Sequence, residues 1–125
     1  RVRSLEGMNA RYISAAEVGT GYDIAVMDVS FISQTLILPV IPALLRDGGE
    51  LVSLIKPQFE VGRADVGKGG IVRSAAARER AVTAVRTAAD AVGLKCCGVI
   101  TSPIQGGDGN TEYLAHFRRA ATTGK

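Results

Sequence analysis

The chain predicts an α/β fold, one half of a doubly wound and mainly parallel sheet whose last strand runs antiparallel. Three observations lead there. Short apolar runs ending in polar residues alternate with segments of helical spacing, the pattern of strands joined by crossover helices. Ala, Val, Gly and Ile dominate, while aromatics make up only 5% of the 125 residues and Trp is absent. That balance suits a helix-covered parallel sheet better than a β-sandwich. The last two strand-like runs are joined by a loop too short for a crossover helix, which makes them antiparallel. With 46% apolar residues the chain can bury one real core, and it reads as a single domain, residues 1–125, without repeats or low-complexity tracts.

Arg1 to Leu5 reads as a short strand, and Gly7 to Gly21 as irregular with a turn of helix near Ser14 to Val18. Asp23 to Asp28 (DIAVMD) is an apolar run closed by a carboxylate, a buried strand. Ser33 is an N-cap candidate for a helix over Gln34 to Leu45, in which Pro39 and Pro42 are foreign to the interior. Asp47-Gly48-Gly49 stops that helix, and Glu50 to Ile55 (ELVSLI) forms the next buried strand, ending at Lys56-Pro57. A Gly-rich loop follows to Gly70. Ser74 to Val92 is the clearest helix: Ser74 caps it, Ala fills it, and Ala81, Val85, Ala88 and Val92 recur at helical spacing before Gly93 ends it. Leu94 to Ile100 is a third core strand, Thr101 to Thr111 a Gly-rich loop, and Glu112 to Arg118 the final strand.

Composition bounds the function classes. Net charge is +3, which permits an anionic partner without demanding one. Arginines and lysines thicken near Arg1, Arg3 and Arg11, around Arg63, Lys68 and Arg73, and at Arg118, Arg119 and Lys125; each cluster alone reads as solvated surface. The two cysteines, Cys96 and Cys97, are adjacent. Neighbours on a strand point to opposite faces, so they are expected to stay reduced and to bind no metal, as suits a cytoplasmic protein. The longest apolar stretch, Leu36 to Leu45, is too short to cross a bilayer, and no secretion signal is read. The chain opens on Arg1 rather than Met, so an upstream part is expected.

In open α/β sheets, sites form beyond the carboxyl ends of the strands. Asp28 closes the first buried strand, Lys56 closes the second, and Glu112 begins the last; if that strand is antiparallel, its start lies on the same rim. Any one of these reads as an ordinary loop contact, and it is their convergence that suggests chemistry. A lysine between two carboxylates can hold a weakly acidic hydroxyl and take or stabilise its proton. Gly67-Lys68-Gly69-Gly70 is not a phosphate-binding loop, since the spacing is wrong and no Ser or Thr follows the Lys. Gly106-Gly107-Asp108-Gly109 leads to a strand and is not a dinucleotide fingerprint. His116, the single histidine, lies within a strand and shows no sequence partner.

Four stretches carry a resemblance: Asp28-Val29-Ser30-Phe31-Ile32-Ser33, Lys56-Pro57-Gln58-Phe59-Glu60-Val61-Gly62, Gly69-Gly70-Ile71-Val72, and Ser102-Pro103 with Gly109-Asn110-Thr111-Glu112-Tyr113. Together, over nearly the whole chain, they resemble the hemolysin A (TlyA) family of FtsJ-like ribosomal RNA methyltransferases. The resemblance implies a Rossmann-like class I methyltransferase fold, S-adenosylmethionine as methyl donor, ribosomal RNA or a ribosomal subunit as partner, and a 2′-O-methylated cytidine as product. The family uses a Lys-Asp-Lys-Glu tetrad, and its last three members fall on Asp28, Lys56 and Glu112. Asp28, together with Asn9 in Met8-Asn9-Ala10-Arg11, matches the cofactor-binding region, and Phe31 falls either beside the substrate or in the core.

The family's first Lys, its Gly-rich cofactor motif and its small RNA-binding domain have no counterpart here. The chain therefore resembles the C-terminal portion of a methyltransferase domain. In such folds two earlier strands lie between the third and fourth, so Arg1 to Leu5 is expected to be an orphan strand and Asp23 to Asp28 an exposed edge open to self-association. The stretch before Gly21 is expected to be misplaced or paired with another copy, and the chain alone to be an inactive fragment that binds the cofactor weakly or not at all. Three other readings compete. A membrane-active hemolysin lacks any amphipathic hairpin series or spanning segment. A base-amine methyltransferase leaves Lys56 and Glu112 without a role. The third is a non-catalytic RNA-binding module that kept the fold.

Overall fold

A computed structural model describes residues 2–6, 21–29, 33–62, 65–103 and 109–120. Among these residues five strands form one sheet: β1 (Val2–Glu6), β2 (Tyr22–Asp28), β3 (Leu45–Ile55), β4 (Leu94–Thr101) and β5 (Tyr113–Arg119). Their order across the sheet is β1-β2-β3-β5-β4. β1, β2 and β3 are parallel, and β5 runs antiparallel to both β3 and β4. The expected α/β architecture with an antiparallel last strand is thus present.

The orphan strand is not. β1 pairs with β2 in parallel register, Val2 opposite Ile24 through Glu6 opposite Asp28. Asp23 to Asp28 therefore lies inside the sheet, and the edges are β1 and β4. The physical reason is the one that made an edge unfavourable in the first place: a strand with a free row of N–H and C=O groups pairs with the nearest extended segment. The exposed-edge argument for self-association falls with this pairing. The turn expected near Ser14, and Asn9 and Phe31, lie outside the described residues.

The segment after Ser33 also departs from expectation. Instead of one helix to Leu45 there are two 3-10 turns, Gln34–Leu36 and Leu38–Val40, and a single α turn, α1 (Ile41–Leu44). Pro39 and Pro42 each sit near the start of one of these pieces, where a missing N–H costs nothing, and so break the run into short segments. Leu45 then starts β3, which is 11 residues long and takes in Asp47-Gly48-Gly49 rather than following it. The register with β2 jumps there, from Tyr22 opposite Leu45 to Ile24 opposite Glu50. Gly48 has a φ of +75°, and a Cβ on Gly49 would lie 2.8 Å from the Arg46 carbonyl oxygen, so the excursion requires glycine at both positions.

The long helix α2 (Ala75–Ala91) forms as expected, with Ser74 accepting from the Ala77 N–H at 3.1 Å. Its buried face is Ala77, Ala81, Val85 and Ala89, with Ala88 and Val92 packed at its margin. Gly93, at φ +85°, ends it. Small side chains let the helix lie close to the sheet. It covers one face together with Ile37, Leu38, Ile41 and Leu44. That face presents Ala25 and Met27 from β2, Leu51 and Ile55 from β3, and Ala115 and Phe117 from β5, all essentially inaccessible to water. Alternation sends Val26 and Ile100, both exposed, to the opposite face. On β4 the register slips between Cys96 and Gly98. Both cysteines are free, Cys96 half-buried and Cys97 exposed.

One buried amide ties the two Gly-rich loops together. Asn110 donates to the Gly70 carbonyl at 2.9 Å and accepts from the Val72 N–H at 3.0 Å. Two stability outcomes follow in urea unfolding. Leu51→Ala, at a fully buried position, should cost about 2–5 kcal/mol, whereas Leu36→Ala, at a position 52% exposed, should cost under about 1 kcal/mol. Asn110→Ala should cost about 2 kcal/mol, since it strands a buried N–H and a carbonyl at once.

Candidate functional site

The three residues selected by topology stand at one rim. Asp28 is the last residue of β2. Lys56 follows β3 directly and is still extended, with φ −111° and ψ 97°. Glu112 precedes β5. The β3–β5 ladder ends with Ile55 opposite Tyr113, so the next antiparallel position sets Lys56 opposite Glu112. Directly opposed residues have Cβ atoms roughly 5 Å apart. Alternation from the buried Met27 and Ile55 turns Asp28 and Lys56 to the face away from α2, and Glu112 goes with Lys56.

Lys56 and Asp28 form an ion pair through Nζ and Oδ1, with the lysine side chain 15% exposed and the aspartate 49% exposed. Glu112 is only 5% exposed and accepts a hydrogen bond at 3.0 Å from Gln58 Nε2. Its own carbonyl accepts from the Ser102 N–H at 2.8 Å, which closes the end of β4 onto the start of β5. The arrangement is graded. The Glu112 carboxylate is sheltered, the Lys56 ammonium is mostly buried, and the Asp28 carboxylate paired with it opens to solvent. Such a set can present a lysine nitrogen to a ligand hydroxyl while balancing the charge that proton transfer changes.

Around Lys56 the backbone is fixed by residues that sequence reasoning did not single out. Pro57–Phe59 forms a 3-10 turn. Gln58 reaches Glu112 from it, and Glu60 just beyond it reaches the segment after β2. Glu60 Oε1 accepts from the Ser33 hydroxyl at 2.5 Å, and Oε2 accepts from the Gln34 N–H at 2.8 Å. Burial of the Glu60 carboxyl raises its pKa above the ordinary glutamate value, and the Ser33 and Gln34 hydrogen bonds oppose that rise. Gln34 is itself buried; its amide donates to the Leu54 carbonyl at 3.1 Å and accepts from the Ser53 hydroxyl. The one sequence signal for this device was polar residues at alternate positions, 56, 58 and 60, straight after a strand.

Other candidates take ordinary places. His116 pairs with Glu50 at 2.5 Å across the β3–β5 ladder, away from the rim. Arg46 pairs with Asp23, and Arg80 with Asp65. Among the described residues no cluster could hold a metal ion, and no helix is long and apolar enough to cross a membrane.

The comparisons with known proteins bear on the family and the fold. The FtsJ-like methyltransferase family matches residues 1–119. YqxC of Bacillus subtilis, named for rRNA methylation, is 45% identical over 118 residues, covering 94% of this chain and 42% of the relative. The 16S/23S rRNA (cytidine-2′-O)-methyltransferase TlyA of Mycobacterium tuberculosis is 41% identical over 118 residues, covering 94% of this chain and 44% of the relative. A solved structure from Streptococcus thermophilus, named for a hemolysin, superposes with a TM-score of 0.83 at 43% identity, covering 90% of this chain and 41% of that one. The chain thus spans less than half the length of these relatives. More distant methyltransferase structures, at 12% and 17% identity with TM-scores of 0.58 and 0.55, share the fold alone. The expected Rossmann-like class I methyltransferase fold is borne out, and the chain belongs to the FtsJ-like methyltransferase family.

Proposed function

We propose that this chain is the C-terminal part of a methyltransferase domain that transfers a methyl group from S-adenosylmethionine to a ribose 2′-hydroxyl of ribosomal RNA, at a cytidine. The observation that carries this reading is the Asp28–Lys56 ion pair with Glu112 set opposite Lys56 on the same face. A base-amine acceptor would need no such lysine, whereas a ribose hydroxyl does. That acceptor is a very weak acid, and its oxygen must shed a proton as it attacks.

The Asp28 carboxylate, half-exposed at the carboxyl end of β2, fits a positively charged donor, and Asn9 is the further residue proposed to hold it. When bound, S-adenosylmethionine supplies a methyl group already activated by its sulfonium. Lys56, as the free amine once its own proton has passed to solvent, orients the 2′-hydroxyl through Nζ and takes its proton there. Asp28 and Glu112 offset the resulting ammonium, and Gln58 keeps Glu112 turned toward the rim. Much of the acceleration then comes from alignment of acceptor and donor rather than from acid–base strength. The net charge of +3 favours approach of a polyanion. The cofactor site is proposed to be shared with residues upstream of the chain, and the reaction to take place in the cytoplasm.

Two outcomes are expected. In a version extended upstream to the length of the relatives, Lys56→Ala should lower methyl transfer by about 10²–10⁴-fold, while S-adenosylhomocysteine affinity by calorimetry stays within about threefold. Near-normal turnover would remove Lys56 from the chemistry, and a methyl group mapped by mass spectrometry to the base would replace the ribose reading. In the same calorimeter the chain of 125 residues should bind S-adenosylhomocysteine far more weakly than the extended version. Equal affinity would show that the pocket is complete within the chain.

A further inference from the structure

We infer that Glu60 is a positioning residue that holds the Asp28–Lys56 pair together by fastening the segment after β2 to the turn that carries Lys56. The inference rests on the reading of Lys56 as the residue that handles the proton.

Asp28 and Lys56 sit on different stretches of chain, and an ion pair with one half-exposed partner is weak by itself. Something else must fix the two stretches to each other. Ser33 and Gln34 follow Asp28 by five and six residues. They are fastened to the other stretch on both sides of Lys56. Ahead of it, the Gln34 amide bonds Ser53 and the Leu54 carbonyl. Beyond it, Glu60 takes one hydrogen bond from the Ser33 hydroxyl and one from the Gln34 N–H. The Glu60 carboxylate also sits at the start of the 3-10 turn Gln34–Leu36, where free N–H groups favour an anion. Ser33 does two jobs there, since it donates to Glu60 and accepts from the Thr35 N–H at 3.1 Å. Glu60 is thus a half-buried ionisable group with no place in the proposed proton transfer, and both of its oxygens are committed to one segment. The ammonium of Lys56 is aligned only as well as that fastening holds.

Release of the fastening should free the lysine, and this can be read without any catalysis. The rate of Lys56 acetylation by acetic anhydride, followed by mass spectrometry, reports how far its amine is paired and sheltered. Glu60→Ala should raise this rate about fivefold, the scale of coupling lost between contacting residues. Glu60→Gln, which keeps an acceptor for the Gln34 N–H, should stay within about twofold. Ser33→Ala, which removes one bond of the two, should fall between them, and it decides the matter if Glu60→Ala does not fold by circular dichroism. An unchanged Lys56 rate in folded Glu60→Ala, or in Ser33→Ala when Glu60→Ala is unfolded, overturns the inference. In the extended version, Glu60→Ala should lower kcat about tenfold with KM for donor and RNA nearly constant, and Glu60→Gln should restore most of it. If the Glu60 variants show the labelling response but the extended wild-type protein methylates nothing, the methyltransferase reading falls and the positioning role of Glu60 stands.

Discussion

The double engagement of β3 governs the rest of the structure. It is parallel to β2 on one side and antiparallel to β5 on the other. Parallel pairing puts the ends of β2 and β3 at one rim, and antiparallel pairing brings the start of β5 to the same place. No loop has to reach across the molecule to assemble Asp28, Lys56 and Glu112. The backbone ladder does it, with a helix-covered apolar face underneath to hold the strands in register. A slip of one residue in the β3–β5 pairing would turn Glu112 toward the core and Tyr113 toward the rim, a costly exchange on a sheet with one buried face.

Much of this was legible because it depends on period and punctuation. DIAVMD and ELVSLI are buried strands by composition, Ser74 and Gly93 bracket a helix by capping chemistry, and Asp28 and Lys56 stand out because the runs before them are largely apolar. Prolines were harder to weigh. The apolar spacing of Gln34 to Leu45 suggests a helix, but two prolines in one short run divide it into turns, and local backbone chemistry outweighs periodicity. Asp47-Gly48-Gly49 looks like a stop signal and is instead an excursion within β3, because Gly48 answers a positive φ and Gly49 a close approach of the Arg46 and Tyr22 carbonyls that only the folded sheet creates.

The supporting residues of the rim were illegible for a different reason. Gln34, Gln58, Glu60 and Asn110 work through partners 19 to 54 positions away. Nothing in their neighbourhood marks them as more than polar residues in turns. Long-range hydrogen bonds leave no period in a sequence, and only the resemblance of whole stretches gathers such residues into motifs. The strand at Val2–Glu6 shows the converse. Its existence could be read, but its neighbour could not, since pairing is settled by which edge is available and not by the strand's own composition.

The antiparallel insertion of β5 between β3 and β4 also sets a sequence of events in time. β2 and β3 are close along the chain and can pair early, a local step that brings the ends carrying Asp28 and Lys56 to one rim. Glu112 arrives only after α2 and β4 have been made, and its strand must enter between two already synthesised ones, a non-local step that pays loop closure before it gains contacts. A nascent protein can therefore hold its lysine and first carboxylate in place for a while without the third group. The rim has all three of these residues in place only once the last strand has slotted in.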